Sequence, residues 1–259
     1  MTIEVNPDWW KSIFDEVYLK TDARSVCDEE ITRREIDLVL ELLPIEPDHR
    51  ILDLCGGHGR HSLELCARGY TACTVLDYSK ALIGCAKTRA DECNYPLQFV
   101  CCDVRSTGLP SDRFDHALIM GNSLGYIQSA GADRQILTES LRVLRPGGRL
   151  LVDVTDGAKI KKTFSPRSWH EIETDLVVCR RRELEGDKIV AREMVISKAS
   201  GLIRDENYAV RLYDARSLGE LFTGAGFEQV EVQTDFSPHR AKGDYGFMNA
   251  RMIATGRKP

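Results

Sequence analysis

Ile51-Leu52-Asp53-Leu54-Cys55-Gly56-Gly57-His58-Gly59 is the stretch that decides how this chain folds. An apolar run short enough for a buried strand enters a glycine-rich turn. A helical pattern follows at 58–68 and stops at Gly69. Strand, glycine turn and helix together open an α/β unit that holds a nucleotide-like ligand in the turn. Asp53, just ahead of the glycines, narrows the choice. A carboxylate at the mouth of the loop repels a pyrophosphate but not a ligand whose near end carries an ammonium and a sulfonium.

Outward from this turn, strands and helices alternate. Strands are predicted at 50–54, 71–76, 97–101, 114–120 and 149–154, with helices at 58–68, 79–93 and 132–144. Ser79 can cap the second of these helices, and Pro146-Gly147-Gly148 stops the third. Such repeats build a parallel sheet covered on both faces. Ahead of them, 8–19 and 28–43 read as helices, the second capped by Asp28 and closed by Pro44 and Pro47. The period then changes. Apolar and polar residues alternate over 167–213, with a turn at Glu185-Gly186-Asp187-Lys188, as in an antiparallel insert. A helix at 215–224 and strands at 227–232 and 246–255 resume the α/β pattern, the last two pairing as an antiparallel edge.

The composition is that of an ordinary globular chain: 259 residues, 42% hydrophobic, 29% charged, net charge −5. No apolar run is long enough to span a bilayer, and the N-terminus lacks a signal-peptide pattern, so the expected location is the cytoplasm. The acidic balance argues against a nucleic-acid partner. The run Arg180-Arg181-Arg182, followed by Glu183 and Glu185, reads as a solvated strand face. Nine cysteines with no Cys-x-x-Cys spacing read as reduced, structural residues, and no metal-ligand spacing occurs.

Three acids, Asp53, Asp77 and Asp103, fall at the ends of successive strands, along the sheet edge where open α/β folds bind ligands. Gly56, Gly57 and Gly59 let the backbone approach the ligand and open a helix whose amides favour its carboxylate. Asp53 is placed near the cationic methionine moiety, directly or through water. Asp77, 24 residues further on, suits ribose hydroxyls. Tyr78 packs on the adenine, while Asp103 and the Val104 backbone receive its amine. Cys55 is a small residue packed in the loop. This set points to S-adenosylmethionine (SAM), with S-adenosylhomocysteine as product.

The chain resembles the class I SAM-dependent methyltransferase family through these pieces, together with Phe-Asp-His-Ala-Leu-Ile-Met-Gly-Asn-Ser-Leu-Gly-Tyr (114–126) and Leu-Arg-Val-Leu-Arg-Pro-Gly-Gly-Arg-Leu (141–150). The family's loop usually reads Asp-x-Gly-x-Gly, and Cys55 stands at its first glycine. The resemblance implies a Rossmann-like α/β fold. Its seven-stranded, mostly parallel sheet has the last strand antiparallel, helices on both faces, an N-terminal helical lid and an antiparallel β insert after strand five. One domain is expected over 1–259: lid 1–35, SAM-binding core 36–154, insert 155–213 and the rest of the core 214–259. The segment 120–126 lacks an Asn-Pro-Pro-Tyr tetrad and, with the insert, is similar to the bacterial small-molecule branch. Gly121 and Asn122 then join the cofactor set.

Methyl transfer needs alignment and water exclusion, and a base only for weakly acidic nucleophiles. Tyr18, in the aromatic segment 9–18, is the expected cofactor-facing residue of the lid, with Trp9 and Trp10 towards substrate. Tyr126 after the fourth strand, His170 at the start of the insert and His239 between the last strands are the catalytic candidates. Arg211 and Tyr213, on one face by alternation, and Arg240 are further substrate candidates. Tyr208 lies on the same strand as Arg211. His58 and His61 shape the pocket, and His116 is buried in a strand. The expected reaction is transfer of a methyl group to a small molecule, with N or O preferred and C possible, by a monomer or homodimer without membrane or nucleic-acid partner. A non-catalytic SAM-binding sensor, or a methyltransferase acting on protein or RNA, are the alternatives.

Overall fold

A computed structural model describes residues 2–239 and 246–259, and among them the chain builds two sheets. In chain order the elements are α1 (Glu16–Thr21), α2 (Ala23–Val26), α3 (Glu29–Leu42), β1 (Ile51–Leu54), α4 (Arg60–Ala67), β2 (Cys73–Asp77), α5 (Lys80–Cys93), β3 (Gln98–Cys101), β4 (Phe114–Ile119), α6 (Ala132–Val143) and β5 (Leu144–Thr155). There follow α7 (Gly157–Lys162), β6 (Arg167–Ile172), β7 (Leu176–Glu185), β8 (Lys188–Ser197), β9 (Gly201–Arg211), α8 (Ala215–Ala225), β10 (Glu228–Phe236) and β11 (Arg251–Arg257).

The larger sheet has seven strands in the order β10-β11-β5-β4-β1-β2-β3. The pairs β1–β2, β1–β4, β2–β3 and β4–β5 are parallel, and β11 is antiparallel to both β5 and β10. The last strand therefore slots inside the sheet instead of forming its rim. Met252, Ile253 and Ala254 are buried on both faces, as an interior strand requires, whereas β10 alternates exposed and half-buried residues and takes the edge.

Side chains of period two divide the core. Leu52, Leu54, Ile119 and Val152 pack on α6 and α8, through Ile136, Leu137, Leu218 and Phe222. Ile51, Leu118, Leu151 and Ile253 pack on the other face with Ile36 and Val39 of α3, Leu43 just after it and Leu65 of α4. Each such buried aliphatic side chain contributes about 1.5–3 kcal/mol. All three expected strand-end acids, Asp53, Asp77 and Asp103, follow from this sheet, because β1, β2 and β3 are parallel neighbours in register.

The expectations for the helix over 8–19, for the segment before the insert and for the start of the last strand change, while the antiparallel insert is as expected. The helix read over 8–19 is broken: a 3-10 turn covers Trp9–Lys11, and α1 starts only at Glu16. Asp15 is the reason. Its extended backbone and side chain cap the second helix, accepting from Val17 N at 2.8 Å and Tyr18 N at 3.1 Å. The alternating region 167–213 is a four-stranded antiparallel sheet, β6-β7-β8-β9, whose β7–β8 turn runs through Gly186 at φ +66°. Helix α7 precedes it, capped by Asp156 on Ala158 N and Lys159 N, and the reading of the sequence had no helix there. The N-terminal segment lies against this insert, with Ile3 and Val5 packed on Val190 and Ala209. The last strand begins at Arg251, and Gly246–Asn249 is a 3-10 turn.

Candidate active site

The glycine turn after β1 frames a cavity whose empty volume, open mouth included, is about 1010 Å³. Cys55, Gly56 and Gly57 line its floor, Asp77 and Tyr78 one side, Val104 another, and Gly121 and Tyr126 the far end, while Trp10, Phe14 and Tyr18 close it from the N-terminal segment. Cys55 takes a left-handed φ of +55°, so the position where the family pattern has glycine is one where glycine's freedom suits the turn. Gly56 needs to be glycine for another reason: a Cβ there would sit 2.8 Å from Asp53 Cγ.

Asp77 accepts from Gly57 N at 2.9 Å on one carboxylate oxygen and from Ser79 N at 2.8 Å on the other. Each oxygen keeps a lone pair for the cavity, which suits a vicinal pair of ribose hydroxyls. Burial pushes the Asp77 carboxyl up, against the two backbone donors. Trp10 meets Tyr78 edge to face, with centroids 4.9 Å apart, leaving an apolar slot beside Val104 for a flat ring. The lining residues Trp10 and His58 each carry a buried ring nitrogen, Nε1 and Nε2, without a hydrogen-bond partner in the chain. Acidic ribose acceptor, apolar slot and the orphaned Trp10 donor fit SAM.

Asp53 does not line the cavity. It lies fully buried beneath the loop, accepts from Ser62 Oγ at 2.9 Å and is pushed up by burial, partly offset by His61 and Ser62. Its side chain supports Gly56 from below, and its Oδ1 has no hydrogen-bond partner among the described residues. Asp103 is likewise set back. Arg105 forks onto it, at 2.6 Å from Nη2 to Oδ2, holding its carboxyl below the usual range, and the Arg105 guanidinium lies 5.5 Å over the Trp10 ring. Gly59 caps α4 at φ +74° behind the loop.

A buried charge network underlies the far end. Glu35 of α3 pairs with Arg60, with His61 Nε2 at 2.9 Å and with Arg251. Arg251 also donates from Nε to Asp153 Oδ1 at 2.6 Å, and Asp153 Oδ2 accepts from Gly121 N at 2.9 Å. Burial alone would raise Glu35, but the Arg60 and Arg251 guanidinium groups and His61 outweigh it and hold it well below the usual carboxylate range. Arg60 and His61 both reach the cavity wall. The sequence reading gave them no charge role, and the signal for it, Glu35, lay on a distant helix.

A second cavity, of about 780 Å³ with its mouth, adjoins the first and shares Phe14, Tyr18, Val26, Gly121 and Tyr126 with it. Trp9, Tyr208, Asp22, Arg180, Arg182, Glu193 and Arg204 are among its other lining residues. Asn122, expected with the cofactor, faces this side and holds Thr155 N at 2.8 Å through Oδ1. Arg180 and Arg182 are not a solvated face. They alternate with Arg181 on β7 and turn inward, Arg180 bonding Glu193 at 2.7 Å and Asp22 at 3.0 Å.

Other candidates lie elsewhere. Arg211 and Tyr213 share a face as alternation requires, but that face meets Asp133 of α6. Arg211 pairs with its carboxylate and Tyr213 donates to it at 2.5 Å, so both are tied into the core. His170 on β6 sits beside Thr21, Arg24 and Arg180, outside both cavities, and burial lowers its pKa. His239 lies near Glu35 and Asp28. Arg240 falls outside the described residues. Among the described residues no cluster of three or more His, Cys, Asp or Glu could hold a metal, and no helix is long and apolar enough to cross a membrane.

Residues 51–148 match the family described as a methyltransferase domain. YqeM of Bacillus subtilis is 26% identical over 73% of this chain and 77% of its own length. The demethylmenaquinone methyltransferase of Renibacterium salmoninarum is 28% identical over 58% of this chain, which spans 60% of that protein. The sugar N-methyltransferase KedS8 from Streptoalloteichus sp. has a similar structure, with TM-score 0.67 and 19% identity, over 100% of this chain and 98% of that one.

Proposed function

We propose that this chain, a SAM-dependent methyltransferase of class I fold, transfers its methyl group to a small molecule held in the second cavity, leaving S-adenosylhomocysteine. One observation carries the reading: two cavities meet at a shared wall, Phe14, Tyr18, Val26, Gly121 and Tyr126. The first has the features of a nucleoside site. The second, closed between the N-terminal segment and the insert, has the size of a site for one small ligand. Demethylmenaquinone and a sugar are the acceptors in the names of two of the three relatives given above. The acceptor atom is N or O by preference, with C open.

SAM supplies an activated carbon on a sulfonium, so the protein's work is alignment and exclusion of water. Asp77 fixes the ribose. Tyr126, stacked on Phe14 at 5.4 Å, marks the seam across which the acceptor meets the methyl group. Burial pushes the Tyr18 and Tyr126 hydroxyls upward, so both stay protonated and serve as donors and walls, not as bases.

The test is incubation of the purified enzyme with deuteromethyl-labelled SAM and a native lysate. Label is expected in a low-mass metabolite. Label confined to protein or RNA, or no label above an enzyme-free control, would overturn the proposal.

A further inference from the structure

Strand β6 is the open edge of the insert, and its charge pattern matches itself. Among the described residues β6 pairs with β7 alone. The opposite edge, β9, is met by other parts of the chain: Arg211 N donates to Gly125 O at 2.8 Å, Gln128 Nε2 to Ala209 O at 3.0 Å and Asn207 Nδ2 to Glu4 O at 2.8 Å.

The backbone of β6 shows which of its groups face outward. Arg182 N donates to Pro166 O at 2.8 Å, and the register continues through Ser168–Arg180, His170–Val178 and Ile172–Leu176. Alternation in an antiparallel ladder gives the bonds to β7 to these even-numbered residues. The N–H and C=O groups of Arg167, Trp169 and Glu171 therefore point to the free edge. Their side chains also share one face. That face is the outer one: all three are exposed, Trp169 at 68%, whereas Ser168, His170 and Ile172 are half-buried. The Trp169 row runs on through Cys179 and Met194, which are half-buried too. A large apolar side chain on an unprotected edge strand is a surface that folded proteins cover or blunt.

We propose that two copies of this chain join through β6, antiparallel about a two-fold axis at Trp169, so that the two four-stranded inserts form one continuous sheet. In this register Trp169 lies opposite the partner's Trp169, and Arg167 opposite the partner's Glu171, twice over. These are the residues whose backbone groups face the free edge, so one register satisfies both the ladder and the side-chain pairs. An axis one residue away in either direction leaves no Arg–Glu pair within the strand. Both charged partners are available. Arg167 has no ion-pair partner among the described residues, and Lys198 lies 3.3 Å from only one Glu171 oxygen. Ser165 Oγ donates to Arg167 O at 3.1 Å, and that carbonyl keeps a second lone pair for the ladder. The contact is isologous and uses both β6 edges, so it closes at two chains. It is independent of the methyl-transfer reading.

Light scattering over a concentration series, with charge reversals, tests the interface. The wild-type mass is expected to rise from 29.2 kDa to twice that value. Arg167→Glu and Glu171→Arg each set like charges opposite one another and are expected to weaken dimerisation at least about tenfold. An equimolar mixture of the two variants restores both opposite-charge pairs and is expected to dimerise as the wild type does. Trp169→Ser is expected to weaken the dimer with no charge change. An unaltered urea midpoint in each variant checks that it folds. A wild-type chain that stays at 29.2 kDa throughout would overturn the proposal. So would a dimer indifferent to both reversals, or a mixture no more dimeric than its components.

Discussion

Asp77 shows how much one side chain carries. Its two oxygens already accept from Gly57 N and Ser79 N, and this fixes the carboxylate's direction, which the proposed function reads as facing a ribose. Two charge-assisted hydrogen bonds to hydroxyls contribute about 1.5–3 kcal/mol each. Asp77→Ala is therefore expected to weaken S-adenosylhomocysteine binding at least about tenfold by calorimetry. A dissociation constant within twofold of wild type would remove Asp77 from the cofactor site. Glu35 makes the opposite kind of contribution. It touches no ligand but neutralises Arg60 and Arg251 in a buried site. Glu35→Gln leaves these guanidinium groups short of an anion, and about 3–5 kcal/mol of stability should be lost in urea unfolding.

At the scale of elements, the turn between β1 and α4 is also a pH-sensitive piece. His58 is buried there, and burial with the nearby Arg60 charge pushes it down to about 3. The unfolded chain takes up this proton near pH 6.5, while the folded chain refuses it until about pH 3. Stability from this group is thus complete above pH 6.5 and falls as the pH drops, by up to about 1.4 kcal/mol per unit. His116, pushed down to about 4 by burial and by His49, adds a fall of the same sign. His58→Gln should flatten the decline of the urea midpoint between pH 7 and pH 5. An unchanged slope would show that His58 is not neutral in the folded chain. Strand β11 shows the reverse case, in which element order follows burial. A strand apolar on both sides cannot remain at an edge, and it enters the sheet between β5 and β10.

Across the whole molecule, the second cavity exists because three distant parts meet: the N-terminal segment, the β4–α6 connection and the insert. Arg204 of β9 ties the first to the third, pairing with Asp15, which caps α1, and lying 3.7 Å from Glu193 on β8. Arg204→Met should loosen the N-terminal segment from the insert. Amide exchange over 9–26 is expected to quicken while β1, β4 and β5 stay protected. Equal quickening throughout would mean that Arg204 supports the fold as a whole.

Local sequence patterns suffice for the sheet and for much of the first cavity's lining. Strand, glycine turn and helix are local patterns of period two and 3.6, and the acid at 77 sits where a strand end must put it. Cys55, Gly56, Gly57, Asp77, Tyr78 and Val104 all line the cavity that this local reading expected. The second cavity depends on long-range packing. Whether Arg180 faces water or a cavity depends on what covers β7, and the covering residues Asp22 and Glu193 lie on other elements. Arg211 and Tyr213 were placed on the right common face, but only Asp133, on another element, shows that this face is core. Local periodicity gives the side of an element, and long-range packing alone gives what that side meets.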